Sequence, residues 1–215
     1  MTKNIKIDFV SDVSCPWCVI GLKSLEAALG RLGDEVVADM HFQPFELNPQ
    51  MGPEGQNIVE HIGQKYGATP EQSAQTRAMI RERAAAVGFD MRTNDESRIY
   101  NTFDAHRLLH WAGPLGKQAA LKHAMFKAYF TDGAVMSDRS TLADVAEKAG
   151  LDRDEAARIL AGDSYADEVR SQEHFYQEQG ISAVPAIIIN DKYLISGGQP
   201  VEIFERALRE ISAAA

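Results

Sequence analysis

The sequence predicts an α/β protein whose sheet is assembled from both ends of the chain, with helices alone between them. Three observations predict it. A strand–helix–strand pattern fills the first part of the chain, from Ile5 to Leu47. From Gly55 to Gly180 the stretches with regular structure all read as helices. Strand signals return only after Pro185, as a hairpin followed by one amphipathic helix.

The opening strand is the buried run Ile5, Ile7, Phe9 and Val10. A helix follows, with Leu22, Leu25, Leu29 and Leu32 at helical spacing between Val19 and Leu32. The segment Val36 to Leu47 alternates through Val37, Asp39 and His41, a second strand with one polar face. Strand, helix and strand in so short a span make a parallel unit with a right-handed crossover. Asn48-Pro49-Gln50-Met51-Gly52-Pro53 then breaks the pattern. The domain division expected from these signals is 1–52 and 164–215 for the two halves of the sheet domain, and 53–163 for a helical insertion.

Within the insertion each helix carries its own punctuation. Asn57 with Glu60 starts one that Gly67 closes. Thr69, Pro70 and Gln72 form a capping box with proline at the first helical position, and Gly88 ends that helix. A loop from Phe89 to Tyr100 leads to a helix from about Asn101 to Gly113-Pro114. Further helices are expected over Leu115–Thr131, over Thr141–Ala149 behind Ser140, from Asp152 to Gly162, and from Ser164 to Gly180. Ala186-Ile187-Ile188-Ile189, the turn Asn190-Asp191, and Tyr193-Leu194-Ile195 read as a β-hairpin, with Val201 to Ile211 as the closing helix. Joined through the Ser164–Gln179 helix, the halves make a thioredoxin fold interrupted by a large all-helical insertion.

Composition narrows the function. The chain has 215 residues, 45% of them hydrophobic and 25% charged, so it can bury a proper core. A formal charge of −9 is the wrong sign for a nucleic-acid footprint. The longest apolar run, Ala183 to Ile189, is too short to span a bilayer and contains Pro185, so no membrane is expected as partner. Met1-Thr2-Lys3-Asn4 leads into the first strand with no leader pattern, so the expected location is cytoplasmic. Thiols there are mostly kept reduced, and a lone CxxC is more often catalytic than structural.

The only two cysteines are Cys15 and Cys18, in Cys15-Pro16-Trp17-Cys18 at the change from strand to helix. Free N–H groups and the dipole at a helix N-terminus favour an anion, and thiolate is the reactive form of cysteine. Cys18, one helical turn on, is placed to attack a mixed disulfide formed at Cys15. Pro16 suits a first turn because it has no N–H to satisfy. Zinc would need a second ligand pair, and no further cysteine exists. A purely structural disulfide would close too short a loop to stabilise much. His106 and His110 lie one turn apart, but without a HExxH pattern or a third ligand no metal is expected. Pro185, at the entry to a buried strand, reads as a permitted first-position proline; a cis peptide after Val184 is the sharper alternative, which the bare sequence does not favour.

Asp12-Val13-Ser14-Cys15-Pro16-Trp17-Cys18, Pro44-Phe45-Glu46-Leu47-Asn48-Pro49, Ala105-His106-Arg107-Leu108, Phe126-Lys127-Ala128-Tyr129-Phe130, Val184-Pro185 and Ser196-Gly197-Gly198-Gln199-Pro200 together resemble the DsbA family of thiol–disulfide oxidoreductases, and within it the FrnE-like cytoplasmic branch. The resemblance covers nearly the whole chain. It implies a cis Pro185 facing Cys15, and catalysis by Cys15, Cys18 and Pro185. Pro16, Trp17 and Val184 are expected to border the partner, with Asn101, His106 and Arg107 on a helical wall over the cleft. The sequence departs from the family in having Ala183 where many relatives have glycine, and in lacking the additional C-terminal cysteines of some members.

The implied function is thiol–disulfide oxidoreductase and isomerase. Its partners would be protein thiols and disulfides or glutathione, and its only cofactor its own redox-active disulfide. Two other functions fit parts of the pattern. Glutathione-dependent isomerases of small aromatic acids, like 2-hydroxychromene-2-carboxylate isomerase, share the fold and insertion, but typically carry serine where Cys15 stands. A holdase would bind unfolded polypeptides without turnover.

Overall fold

A computed structural model describes residues 3–214, apart from the side chain of Ala214. Met1 and Thr2, on which the reading of the N-terminus partly rests, and Ala215 of the alanine tail lie outside the described residues.

Strand β1 (Lys3–Ser11) is apolar enough to be buried on both faces, and it becomes the inner strand of a four-stranded sheet. It pairs parallel with β2 (Val36–Pro44), Lys3 opposite Val36 and Ser11 opposite Pro44. On its other side it runs antiparallel to β5 (Ala186–Ile189), Ile7 opposite Ile189 and Val10 opposite Ala186. The hairpin partner β6 (Tyr193–Ser196) completes the order β2-β1-β5-β6. Asn190 and Asp191 turn the hairpin with φ of 53° and 54°, a left-handed pair that short polar side chains tolerate.

Alternation along β1 sends Ile5, Ile7 and Phe9 to the face covered by α1 (Pro16–Leu32) and α9 (Val201–Ala214). Val10 faces the other way, clustering with Tyr176 of α8 (Ala166–Glu178). Each such residue removed from water contributes about 1.5–3 kcal/mol. The result is the thioredoxin arrangement of βαβ and ββα halves around helices.

Between the halves stand α2 (Ile58–Tyr66), α3 (Pro70–Ala86), α4 (Phe103–Ala112), α5 (Gln118–Phe126), α6 (Arg139–Lys148) and α7 (Arg153–Ala161). The caps read from sequence at Asn57, Thr69 and Asp152 all form, Thr69 with both bonds of its capping box. Four boundaries differ. Helix α6 is capped by Asp138, whose carboxylate accepts from Thr141 N–H, so it begins before Ser140. Helix α5 begins after Lys117, because Gly116 turns the backbone with φ of 65°, and a π-helical turn (Lys127–Thr131) follows it. Tyr165, at φ 63°, rather than Ser164 precedes α8. The region is not wholly helical either: β3 (Gln56–Asn57) and β4 (Arg98–Ile99) pair in a two-residue ladder.

One docking contact brings the inserted helices to the sheet. The Gln118 side-chain amide accepts from Phe42 N–H (2.9 Å) and donates to Phe42 C=O (3.0 Å), satisfying free backbone groups of edge strand β2. One turn further along α5, Lys122 is thereby carried beneath the sheet edge.

Candidate active site

Cys15 is the N-cap of α1 and Pro16 its first helical residue. The turn before it is fixed by Asp12. The Asp12 backbone carbonyl accepts from Cys15 N–H (3.2 Å), and the Asp12 carboxylate accepts from Ser14 N–H (3.1 Å) and Leu47 N–H (2.7 Å). One buried carboxylate therefore ties the active-site turn to the stretch after β2. Cys18 N–H donates to Cys15 C=O at 3.1 Å, closing the turn that holds the two cysteines together. Cys15 retains 3% of its surface and Cys18 none.

Across from α1, the Val184–Pro185 peptide is cis, and the Cys15 thiol donates to Val184 C=O at 3.6 Å. Pro185 C=O in turn accepts from Gly197 N–H at 2.8 Å. Two glycines permit this closeness. A Cβ on Gly21 would lie 3.1 Å from Pro185 Cγ, and one on Gly198 would lie 2.8 Å from Trp17 C=O. Pro16, Trp17 and Val184 are half-buried around the sulfur. A groove of about 350 Å³ continues from Val184 and Pro185 past Ala183, Leu194 and Ser196.

The sulfurs sit in different environments. Burial, followed by the hydrogen bond and charge of the neighbouring Cys15, pushes the Cys18 thiol well above its ordinary value, so Cys18 keeps its proton. Lys122 is fully buried, with its ammonium 5.0 Å from the Phe126 ring centroid and 6.0 Å from that of Phe42, and without a hydrogen-bond partner among the described residues. Burial lowers the Lys122 pKa to about 8, against the opposing pull of Cys18, Asp12 and Cys15. Burial also works against ionising Asp12, but His106 and the two N–H donors outweigh it and hold the carboxyl below its usual range. His106 Nε2 is 3.8 Å from Asp12 Oδ1, beyond hydrogen-bond range.

The three expected wall residues part company. His106 is buried beside Asp12, under the active-site turn. Arg107 is also buried, and it donates to Ser164, Ile159 and Gly162 carbonyls and to Asp104. It clamps α4 to the α7–α8 connection and has no face on the groove. Asn101 is not the N-cap of α4, which is Thr102; its Oδ1 accepts from Phe103 N–H (2.9 Å) in the turn ahead of the helix, and its amide donates to Glu46 (3.3 Å) and to Pro49 C=O (3.4 Å). Glu46 also pairs with Arg170, whose guanidinium lies 3.8 Å over the Phe103 ring.

Asp12, Lys122 and Gly21 were not singled out by sequence reasoning. Each left a signal. Asp12 stands at Asx-turn spacing from Ser14. Lys122 occupies the apolar stripe of its helix, with Leu121, Met125 and Phe126, where a charge is out of place. Gly21 interrupts a helical pattern.

The site is thus a pair of cysteines at the N-terminus of the first helix of a thioredoxin sheet, facing a cis-proline. Residues 6–209 match the DSBA-like thioredoxin domain, and the protein belongs to that family. A probable DsbA oxidoreductase from Streptomyces coelicolor superposes with a TM-score of 0.90 at 34% identity, over 96% of this chain and 89% of that one. The uncharacterized protein YwbO of Bacillus subtilis is 28% identical over 98% of both sequences. At 15% identity the fold is also shared with the cytosolic disulfide reductase DsbM of Pseudomonas aeruginosa, with a TM-score of 0.65 over 98% and 100% of the two proteins.

Proposed function

We propose that this DsbA-family protein exchanges disulfides with protein thiols, or with glutathione, through the Cys15–Cys18 dithiol, as oxidoreductase and isomerase. The observation that carries this reading is the asymmetry of the two sulfurs. Cys15 lies at a helix N-terminus against Val184 C=O, whereas Cys18 is fully buried and holds its proton. In the reducing direction, Cys15 thiolate attacks a substrate disulfide, forming a Cys15–S–S–substrate bond and releasing one substrate thiolate. Cys18, losing its proton, then attacks Cys15 Sγ. The Cys15–Cys18 disulfide forms, the second substrate thiolate leaves, and two electrons have passed to the substrate. Run backwards, the same steps oxidise a dithiol, and an incomplete cycle reshuffles disulfides.

Pro185 and Val184 border the incoming sulfur, with Pro16 and Trp17 on the helix side, and the groove beyond them suits an extended polypeptide. Asn101 acts by holding Glu46 and the start of α4 in place, His106 by supporting Asp12, and Arg107 by clamping α4. Glutathione as redox partner has support in the Pseudomonas aeruginosa reductase, which is also known with GSH. That relative and the FrnE-like motifs favour a cytoplasmic setting. The division into 1–52, 53–163 and 164–215 belongs to the same proposal, the inserted helices forming one side of the site.

Insulin reduction by dithiothreitol tests the reading. The wild type should accelerate it and Cys15→Ser should not. Rate equal to that of Cys15→Ser, with suppressed aggregation, would mean a holdase instead. Isomerisation of an aromatic acid that persists in Cys18→Ser would mean a glutathione-dependent isomerase.

A further inference from the structure

The stretch that leaves β2 carries the chain into the inserted helices and touches the active-site turn on the way. Leu47 N–H, in that stretch, donates to the Asp12 carboxylate (2.7 Å), and Asp12 C=O accepts from Cys15 N–H (3.2 Å). Phe45, two residues earlier, is buried in the small cluster against which Leu47 and Val184 also pack. Val184 C=O is the acceptor for the Cys15 thiol (3.6 Å). The two backbone segments that border Cys15 thus lean on the same few residues.

Between Phe45 and Leu47 stands Glu46, whose side chain is only 2% exposed. A carboxylate in such a place is costly unless it is paired. Glu46 Oε1 accepts from Arg170 Nη1, and its Oε2 accepts from Asn101 Nδ2 (3.3 Å). Arg170 reaches it from α8, and half of the arginine side chain stays in water. Its guanidinium lies 3.8 Å over the Phe103 ring of α4 and makes a second bond, to Glu173 (2.8 Å). Lys65 holds the same stretch through Leu47 C=O and Asn48 Oδ1 (both 2.8 Å), but those bonds are exposed and compete with water.

We propose that Glu46 is a positioning residue for Cys15: latched by Arg170, it keeps Leu47 N–H on Asp12 and so fixes the turn from which Cys15 attacks. The inference rests on the oxidoreductase reading. The line of contact runs from the surface to the sulfur through Arg170, Glu46, Leu47, Asp12 and Cys15. Without Arg170 the buried carboxylate keeps only the Asn101 amide. An uncompensated charge of that kind turns toward water or takes up a proton. Either change moves Glu46, and the next residue in the chain is the one that holds Asp12. The latch joins α8 and α4 to the active-site turn, so the helices around the site act on Cys15 without touching its sulfur.

The test uses reduced full-length protein and two rates at Cys15: alkylation by iodoacetamide, and release of the first thiol from dithiobisnitrobenzoate. Urea melts run alongside, so that stability and reactivity are read separately. Arg170→Met should slow both rates about tenfold while the protein stays folded, on the scale of a small misplacement of a reacting group. Glu46→Gln still accepts from Arg170, but more weakly, and should slow both to a smaller degree. It serves alone should Arg170→Met not fold. The double variant should be no slower than Arg170→Met, because both changes break one link. Asp152→Ala removes the cap of α7, and it should lower stability and leave both rates alone. Wild-type rates in Arg170→Met and Glu46→Gln would overturn the inference, as would single effects that multiply in the double variant. Equal slowing in Asp152→Ala would overturn it too, since the rates would then follow stability and not the turn. A wild type that fails to accelerate insulin reduction is a different failure, and it would remove the oxidoreductase reading itself.

Discussion

Burying Lys122 has a cost that can be measured apart from catalysis. Its pKa is about 8 in the fold, against an ordinary 10.5 in the unfolded state. Above pH 10.5 both states hold a neutral amine and the electrostatic cost is zero. As pH falls from 10.5 to 8 the unfolded state takes up a proton that the folded state refuses, so folding loses ground. Below pH 8 the cost is complete, on the order of 3 kcal/mol at about 1.4 kcal/mol per unit. Lys122→Met, close in shape and apolar, should therefore be more stable than the wild type at pH 7, and its advantage should shrink as pH rises from 8 to 10.5. Urea melts at a series of pH values measure this, and an advantage that does not change with pH would contradict it.

At the scale of elements, the site depends on how closely α1 approaches the cis-proline turn and the Ser196–Pro200 loop. Gly198→Ala would place a methyl 2.8 Å from the Trp17 carbonyl, against backbone that cannot give way. A loss of about 1–3 kcal/mol is expected, as for other overpacked positions. Gly30, on the exposed side of α1, has nothing within 4 Å of its would-be Cβ. Gly30→Ala should stabilise by about 0.5–1 kcal/mol. Thermal melts of the two variants should thus shift in opposite directions, and a parallel shift would contradict the packing described here. Sequence made the order of these elements legible, because hydrophobic period and caps such as Thr69 are local. It misplaced boundaries where a competing local choice wins, as with Asp138 over Ser140 and the left-handed Gly116 ahead of α5. The two-residue β3–β4 ladder was illegible because its pairing joins Gln56 to Ile99 across two helices.

For the whole molecule, the buried residues on one face of the sheet, of α1 and α9, and of the inserted helices form one continuous cluster that runs from Ile5 to Ile211, while Val10 and Ala186 on the other face join a smaller one with Tyr176. An insertion packed in this way should not unfold on its own. The two tryptophans report on the two parts, Trp17 beside the dithiol and Trp111 on α4. Trp17→Phe and Trp111→Phe should give urea transitions whose fluorescence midpoints each match the circular-dichroism midpoint of the same variant. A fluorescence transition that departs from it in either variant would mean separable units. The reacting cysteines were legible in sequence because CxxC and a helix start are adjacent in sequence. Lys122 was not, because only the docking of Gln118 on Phe42 brings α5 under the sheet edge. In the proposed mechanism Cys15 attacks and Cys18 resolves. Mass spectrometry without reductant, after mixing each single variant with a disulfide-bearing peptide, tests it most directly. Cys18→Ser should accumulate a persistent mixed disulfide at Cys15, and Cys15→Ser should form none. Equal trapping by both variants would contradict the assignment.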